Sequence, residues 1–166
     1  MSVNTADMHK GINAAWAASD LDDVFLALRA DPTDESTPVL NDQEAAPSEK
    51  FPYCVFGEIM PSRISQMSGG VSSIRQIRGV SVQFNVHAST KSGDSRSAKQ
   101  IAAYLSEEII KVFGGHPTVS PTQSISLDNG NVVSMDYQND YGIREDDSQY
   151  KWIISYEAMI DVPVMV

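Results

Sequence analysis

From Val80 to Val86 apolar and polar residues alternate without interruption: Val80, Val82, Phe84 and Val86 stand against Ser81, Gln83 and Asn85, and His87 continues the polar phase. A two-residue period puts one apolar row on a single face of a pleated strand, so this run demands a covered sheet face. The apolar phase reaches back to Ile74, with Arg78 interrupting it, so the strand or its hairpin partner starts ahead of Val80. A second alternating run lies near the end. Tyr150, Trp152, Ile154, Tyr156, Ala158 and Ile160 alternate with Lys151, Ile153, Ser155, Glu157, Met159 and Asp161. Both faces of this run are partly apolar, which fits a central strand with helix on one side and other cover on the second. Between the two runs, Ala98, Ile101, Ala102, Leu105, Ile109 and Val112 recur at three and four residues, the period of a helix with one buried stripe. Glu107 and Lys111 are spaced to pair across one turn, and Gly114-Gly115 supplies a stop.

Shorter elements fill the remainder. Met8, Ile12 and Trp16 recur every four residues and predict a helix from Thr5, as its cap, to about Ala18. Ser19-Asp20-Leu21-Asp22 has the look of a capping box ahead of a short helix through Leu28, either a second helix or a continuation of the first. Ala30 to Lys50 reads as an acidic loop, mobile or used in a contact, in which only Pro38-Val39-Leu40 suits a short strand. Phe51 to Ile59 reads as a strand, Met60 to Ser73 as a flexible stretch, and Ser89 to Ser95 as a polar loop. Ser124 to Leu127 is a short strand candidate, and Asp128-Asn129-Gly130 a turn before a strand at Val132 to Tyr137. Asn139 to Ser148 reads as another acidic loop. The economical sum is an α+β fold: a mainly antiparallel β-sheet packed against two principal α-helices, with long flexible loops. A single domain over residues 1–166, with a flexible acidic loop at 30–50, accommodates the chain.

Charge narrows the function. Twelve basic against 22 acidic residues leave a formal net charge of -10, which disfavours a general nucleic-acid binder. The charge is segregated: residues 1–50 carry -7, residues 51–113 carry +3, and residues 114–166 carry -6. Such segregation suits acidic and basic faces that meet between identical subunits. The single cysteine, Cys54, excludes an intrachain disulfide and a four-cysteine zinc cluster, and a reducing compartment is the simpler expectation. No stretch has the length of apolar residues that a membrane span needs, and no signal-peptide h-region is read at the start.

Chemical motifs are sparse. His9, His87 and His116 stand in unrelated contexts without metal-ligand spacing, and His87 is expected on a polar strand face. Neither Gly69-Gly70 nor Gly114-Gly115 has the pattern of a phosphate-binding loop, and no Gly-x-Ser-x-Gly elbow accompanies the serines. Asp20, Asp22 and Asp23 are explained by helix-start electrostatics, and Cys54 by burial in a strand. No catalytic residue, cofactor or metal is therefore expected. Candidate contacts are the basic residues Arg63, Arg75 and Arg78, set in or beside a flexible segment, and the acidic run Glu145, Asp146 and Asp147. Their signs suit a contact between neighbouring subunits; the alternatives are solvated surface for both sets, nucleic-acid contact for the arginines and a cation site for the acids.

Taken together, the helix around Met8-His9-Lys10-Gly11-Ile12, the segment Phe51-Pro52-Tyr53-Cys54-Val55-Phe56-Gly57-Glu58, the strand Val80 to Val86, the helix from Ala98 and the final aromatic strand resemble the tail-completion proteins of long-tailed bacteriophages, the tail terminators and head-to-tail joining proteins. The resemblance covers most of the chain, and the long acidic segment Ala30–Lys50 departs from it. It implies a non-enzymatic virion assembly protein at the tail-neck junction, assembled in the host cytoplasm. It also implies a ring-shaped homo-oligomer, commonly a hexamer, that stops tail-tube polymerisation and docks the head or neck. The implied partners are copies of itself, the tail-tube protein and a head-completion or connector protein, with DNA passing through the lumen without specific binding and no membrane contact. A connector-side neck protein is the near alternative. A small-molecule-binding or enzymatic α+β domain is the distant one, and would need a pocket bringing Asp136, His87 and Arg78 together.

Overall fold

The computed structural model of the chain describes residues 3–42, 50–56, 60–68, 74–115, 120–128 and 130–163. The turn residue Asn129, the histidine His116, the Gly69-Gly70 pair and the end of the strand expected at Phe51 to Ile59 lie outside the described residues. Among the described residues three helices, α1 (Val3–Ala18), α2 (Leu21–Leu26) and α3 (Ala98–Phe113), accompany seven strands. The strands are β1 (Leu40–Asn41), β2 (Tyr53–Phe56), β3 (Met60–Ser68), β4 (Ile74–Ser89), β5 (Ser126–Leu127), β6 (Gly130–Arg144) and β7 (Gln149–Pro163). They form one sheet in the order β1-β2-β4-β7-β6-β5, with β3 on β4. Every pairing is antiparallel except β1 with β2. The expected α+β architecture is what forms.

The two alternating runs become the two central strands. β4 and β7 pair from Arg75 opposite Pro163 to Ser89 opposite Gln149. In β4 the even positions Val80, Val82, Phe84, Val86 and Ala88 are buried on the helix side, where Ile154, Tyr156, Ala158 and Ile160 of β7 join them. The opposite phase forms a face without helices. Phe84 sits at the centre of the core, its ring 4.9 Å from Phe113, 5.7 Å from Phe56, 6.1 Å from Tyr156 and 6.4 Å from Trp16. One side chain thereby links α1, α3, β2 and β7, and burial of a phenylalanine contributes about 1.5–3 kcal/mol by area alone.

α3 covers this sheet with Ile101, Ala102, Leu105, Ile109, Val112 and Phe113. Its start is set by a capping box: the Ser97 hydroxyl accepts from the Gln100 N–H, and the Gln100 side chain accepts from the Ser97 N–H. At its end Gly114 and Gly115 have φ of +67° and +77°, conformations open to glycine at little cost. The expected Glu107–Lys111 pair does not form; Lys111 Nζ instead donates to Glu108 Oε1 at 2.7 Å, one residue closer along the same face.

α1 buries Met8, Ile12, Ala15 and Trp16 as its spacing predicts, but begins at Val3, so Thr5 lies inside the helix instead of capping it. α2 is separate from α1. Asp20 occupies its cap position without a side-chain cap bond; the Ser19 hydroxyl accepts from the Leu21 N–H, while Asp22 accepts from the Trp16 indole at 2.8 Å. This helix ends at Leu26, short of Leu28.

Three segments expected as loops are more ordered. Met60 to Ser68 is a strand, because β4 extends back to Ile74 and offers it a full partner. Asn139 to Arg144 is likewise strand, the continuation of β6 along β7, leaving only residues 145–148 as the turn. Residues 30–38 wrap around Arg29, whose side chain is 1% exposed. Its Nη1 donates to the Asp34 and Thr37 carbonyls at 2.9 Å each, and Nη2 to the Pro38 carbonyl at 3.3 Å. Asp34 also pairs with Lys50. The chain then runs directly into β1, where the Val39 carbonyl accepts from the Cys54 N–H at 2.8 Å.

Candidate functional site

Arg63, Arg75 and Arg78 come together in one corner of the sheet. Arg63 stands opposite Gly79, Arg75 opposite Met67 on one side and Pro163 on the other, and Arg78 opposite Ile64 and Ile160. They share a corner but not a strand phase. Arg63 and Arg75 are in register with the odd positions of β4, and Arg78 with the even ones. The flexible segment expected around them is a paired strand hairpin instead, apart from residues 69–73, which lie outside the described residues.

Glu145, Asp146 and Asp147 form the exposed turn between β6 and β7. Asp146 shapes the turn: its carboxylate accepts from the Ser148 N–H at 2.8 Å, and that bond, foremost, holds its pKa below the ordinary carboxylate range. Arg144 pairs with Asp147 across the same turn. The turn sits at the far end of the sheet from the arginine corner, beside Ser89, where Thr90 N–H donates to the Ser148 carbonyl at 3.0 Å. From Arg75 to Ser89 the strand runs about 45 Å at a rise of ~3.3 Å per residue. The two sets of candidate residues therefore do not meet within one chain.

The face without helices connects these two ends. Two rows cross it near the acidic turn: Val55, Asn85, Ile153 and Tyr141 in register, then Tyr53, His87, Lys151 and Ile143. His87 is half-buried and stacks on Tyr53, ring centroids 4.7 Å apart and 11° from parallel. Burial first, and the neighbouring Lys151 charge second, lower its pKa from the ordinary histidine value. On the same rows Tyr141 and Ile143 are 48% and 42% exposed. β6 is the outer strand at this end. Among the described residues β5 covers only Gly130 and Asn131 of its outer edge, and the Gly115 carbonyl accepts from Tyr137 N–H at 3.3 Å. Asn139 to Arg144 have no strand beyond them among the described residues. Sequence reasoning missed this edge because the acids around it read as a loop; the Tyr141-Gly142-Ile143 alternation was the available signal, and a register shift between Tyr137 and Asn139 turns Tyr141 and Ile143 onto the face opposite Met135 and Tyr137.

A shallow hollow of about 360 Å³ opens midway along the same face, lined by residues that include Ser81, Gln83, Gln138, Ser155 and Glu157. His87, Asp136 and Arg78 do not converge on it. Asp136 is in register with Glu157 and Ser81, six residues along β4 from His87, and Arg78 has the opposite phase. Among the described residues no three His, Cys, Asp or Glu side chains group as metal ligands. Cys54 is buried, and burial raises its thiol pKa far above the ordinary value.

No protein-family model matches the sequence, and no curated protein matches it. Among solved structures, the chain is similar to one from the virion of a native gene transfer agent particle, with a TM-score of 0.53 at 13% identity. The likeness covers 96% of this chain and 99% of that one, so the fold is shared from end to end.

Proposed function

We propose that this chain is a structural protein of a phage-like virion, acting as a ring that terminates tail-tube polymerisation and offers a docking surface to the head or neck. The observation that carries the reading is the end-to-end fold likeness to a chain of a gene transfer agent virion. The sequence resemblance to tail-completion proteins points the same way. Catalysis is no part of the proposal: the hollow lined by Ser81, Gln83, Gln138, Ser155 and Glu157 on the helix-free face offers one carboxylate among serine, glutamine, valine and tyrosine, without a base placed to activate a nucleophile.

The mechanism is geometric. A growing tube presents an open, head-to-tail surface that keeps adding subunits until something complementary but different covers it. A ring matching the tube on one face and presenting another surface on its opposite face halts growth there. The net charge of -10 suits a lumen through which DNA slides without adhering. A predominantly basic channel in the assembled ring would refute that last point.

The test is assembly of tail tubes with and without the protein, followed by electron microscopy of their ends. Capping predicts added density at one end, and tubes of unregulated length when the protein is left out. Density on isolated portal rings but never on tubes would replace this reading with a connector-side neck protein. Binding to neither would reject both.

A further inference from the structure

We infer that the β6 edge at Asn139–Arg144, beyond which no strand lies among the described residues, is with the acidic turn after it a docking surface for a second copy of this chain, which seats its β3–β4 corner there. The inference rests on the ring reading above and names the contact that would build it. Three observations converge. The edge exposes Tyr141 and Ile143 side by side on the helix-free face, at 48% and 42%, on a strand that no other strand flanks on its outer side among the described residues. Residues 139–148 carry four acids and one base, whereas residues 60–78 carry three bases and no acid. Along β4 the levels of the three arginines, from Arg75 to Gly79 opposite Arg63, stand about 33–46 Å from Ser89 beside the turn at ~3.3 Å per residue, so the arginines and the turn acids do not neutralise one another within a subunit.

Opposite charge at opposite ends of one rigid sheet favours head-to-tail association over a twofold dimer. A twofold contact through the acidic edge would place like charges against each other. Arg144 and Asp147, at 68% and 98% side-chain exposure, pair only through solvent-screened contact, so an incoming arginine competes for Asp147 at little cost.

Crosslinking of mixed variants tests this. Ile143→Cys and Ser65→Cys are made separately in the full chain and treated with a short bis-maleimide; Cys54, being buried, does not compete. Mixing them is expected to give a covalent heterodimer that neither variant forms alone, and the double variant to give a ladder. Adding Glu145→Lys with Asp147→Lys lowers the yield about tenfold, as the loss of several screened charge pairs would. Partnering that protein with an Arg75→Glu, Arg78→Glu chain restores the yield, which a merely structural effect on the turn would not do. Multimers that form without the 143–65 link would overturn this surface and leave the ring reading standing. The link without any tube-end density would do the reverse. Absence of the link at millimolar protein also overturns the inference, as does an Ile143–Ile143 link, the mark of a twofold contact.

Discussion

Replacing Arg29 with methionine probes the contact that holds residues 34–38 against the segment after α2. Arg29 is 1% exposed and its guanidinium donates to the carbonyls of Asp34, Thr37 and Pro38, while its Nε has no partner among the described residues. Each bond from a charged donor contributes about 1.5 kcal/mol or more net, which gives about 5 kcal/mol for the set. Against that stands the cost of burying a cation without a carboxylate, a few kcal/mol of which methionine recovers. The balance is a loss of about 3 kcal/mol, because the carbonyls are left to find water by opening the loop. Urea denaturation followed by circular dichroism reads it directly. With a slope of about 2–3 kcal/mol/M, the midpoint falls by about 1–1.5 M. Local opening has its own readout: the endoprotease that cuts after glutamate should cleave at Glu35, an exposed loop residue, faster in the variant than in the parent. Arg29→Lys should recover only part of the loss, since one ammonium lacks the planar fork that reaches several carbonyls. A midpoint within 0.3 M or so of the parent, with unchanged cleavage, would mean that desolvation cancels the hydrogen bonds and that the loop is held by other contacts.

Two further predictions concern packing and protonation. Gly11→Ala would place a Cβ 2.7 Å from the Ser126 carbonyl oxygen and 2.8 Å from Ile125 Cγ2, forcing α1 away from β5. Overpacking of about 1–3 kcal/mol should outweigh a helix-propensity gain of about 1 kcal/mol. A thermal midpoint raised by this substitution would show that α1 does not press on β5. His87 has a folded pKa below its ordinary value, so below about pH 6.5 the unfolded chain binds more protons than the folded one. Stability should therefore fall as pH drops below 6.5 or so, then level off once the folded histidine is itself protonated. The step should vanish in His87→Gln; its persistence there would assign it to another group.

Much of the frame was legible in the residues. The β4 and β7 alternations and the α3 stripe specified buried faces because strand and helix periods are local properties, repeated over enough residues to be unambiguous. The stop at Gly114-Gly115 was equally local, a requirement of backbone sterics. β3 and the far half of β6 were different. Met60–Ser68 and Asn139–Arg144 carry polar or charged residues that taken alone read as loop, and they became strand because long neighbours already stood beside them with free hydrogen-bonding edges.

The candidate surfaces divide along the same line. Composition alone established that Arg63, Arg75 and Arg78 carry a basic charge excess and that Glu145, Asp146 and Asp147 carry an acidic one. Where those groups lie, at opposite ends of one sheet, followed only from the pairing of β4 with β3 and β7, contacts between residues up to about 90 positions apart that no local window contains. Burial of Arg29 belongs to the tertiary structure as well. Its bonds span few residues, but removing a guanidinium from water is tolerable only once the surrounding core and the returning loop hold its acceptors in place. The chain's own chemistry thus chose its strands, its main helix and the sign of its surface. Packing chose the edges, the exposed apolar residues on them, and the distance that keeps the two charged ends apart.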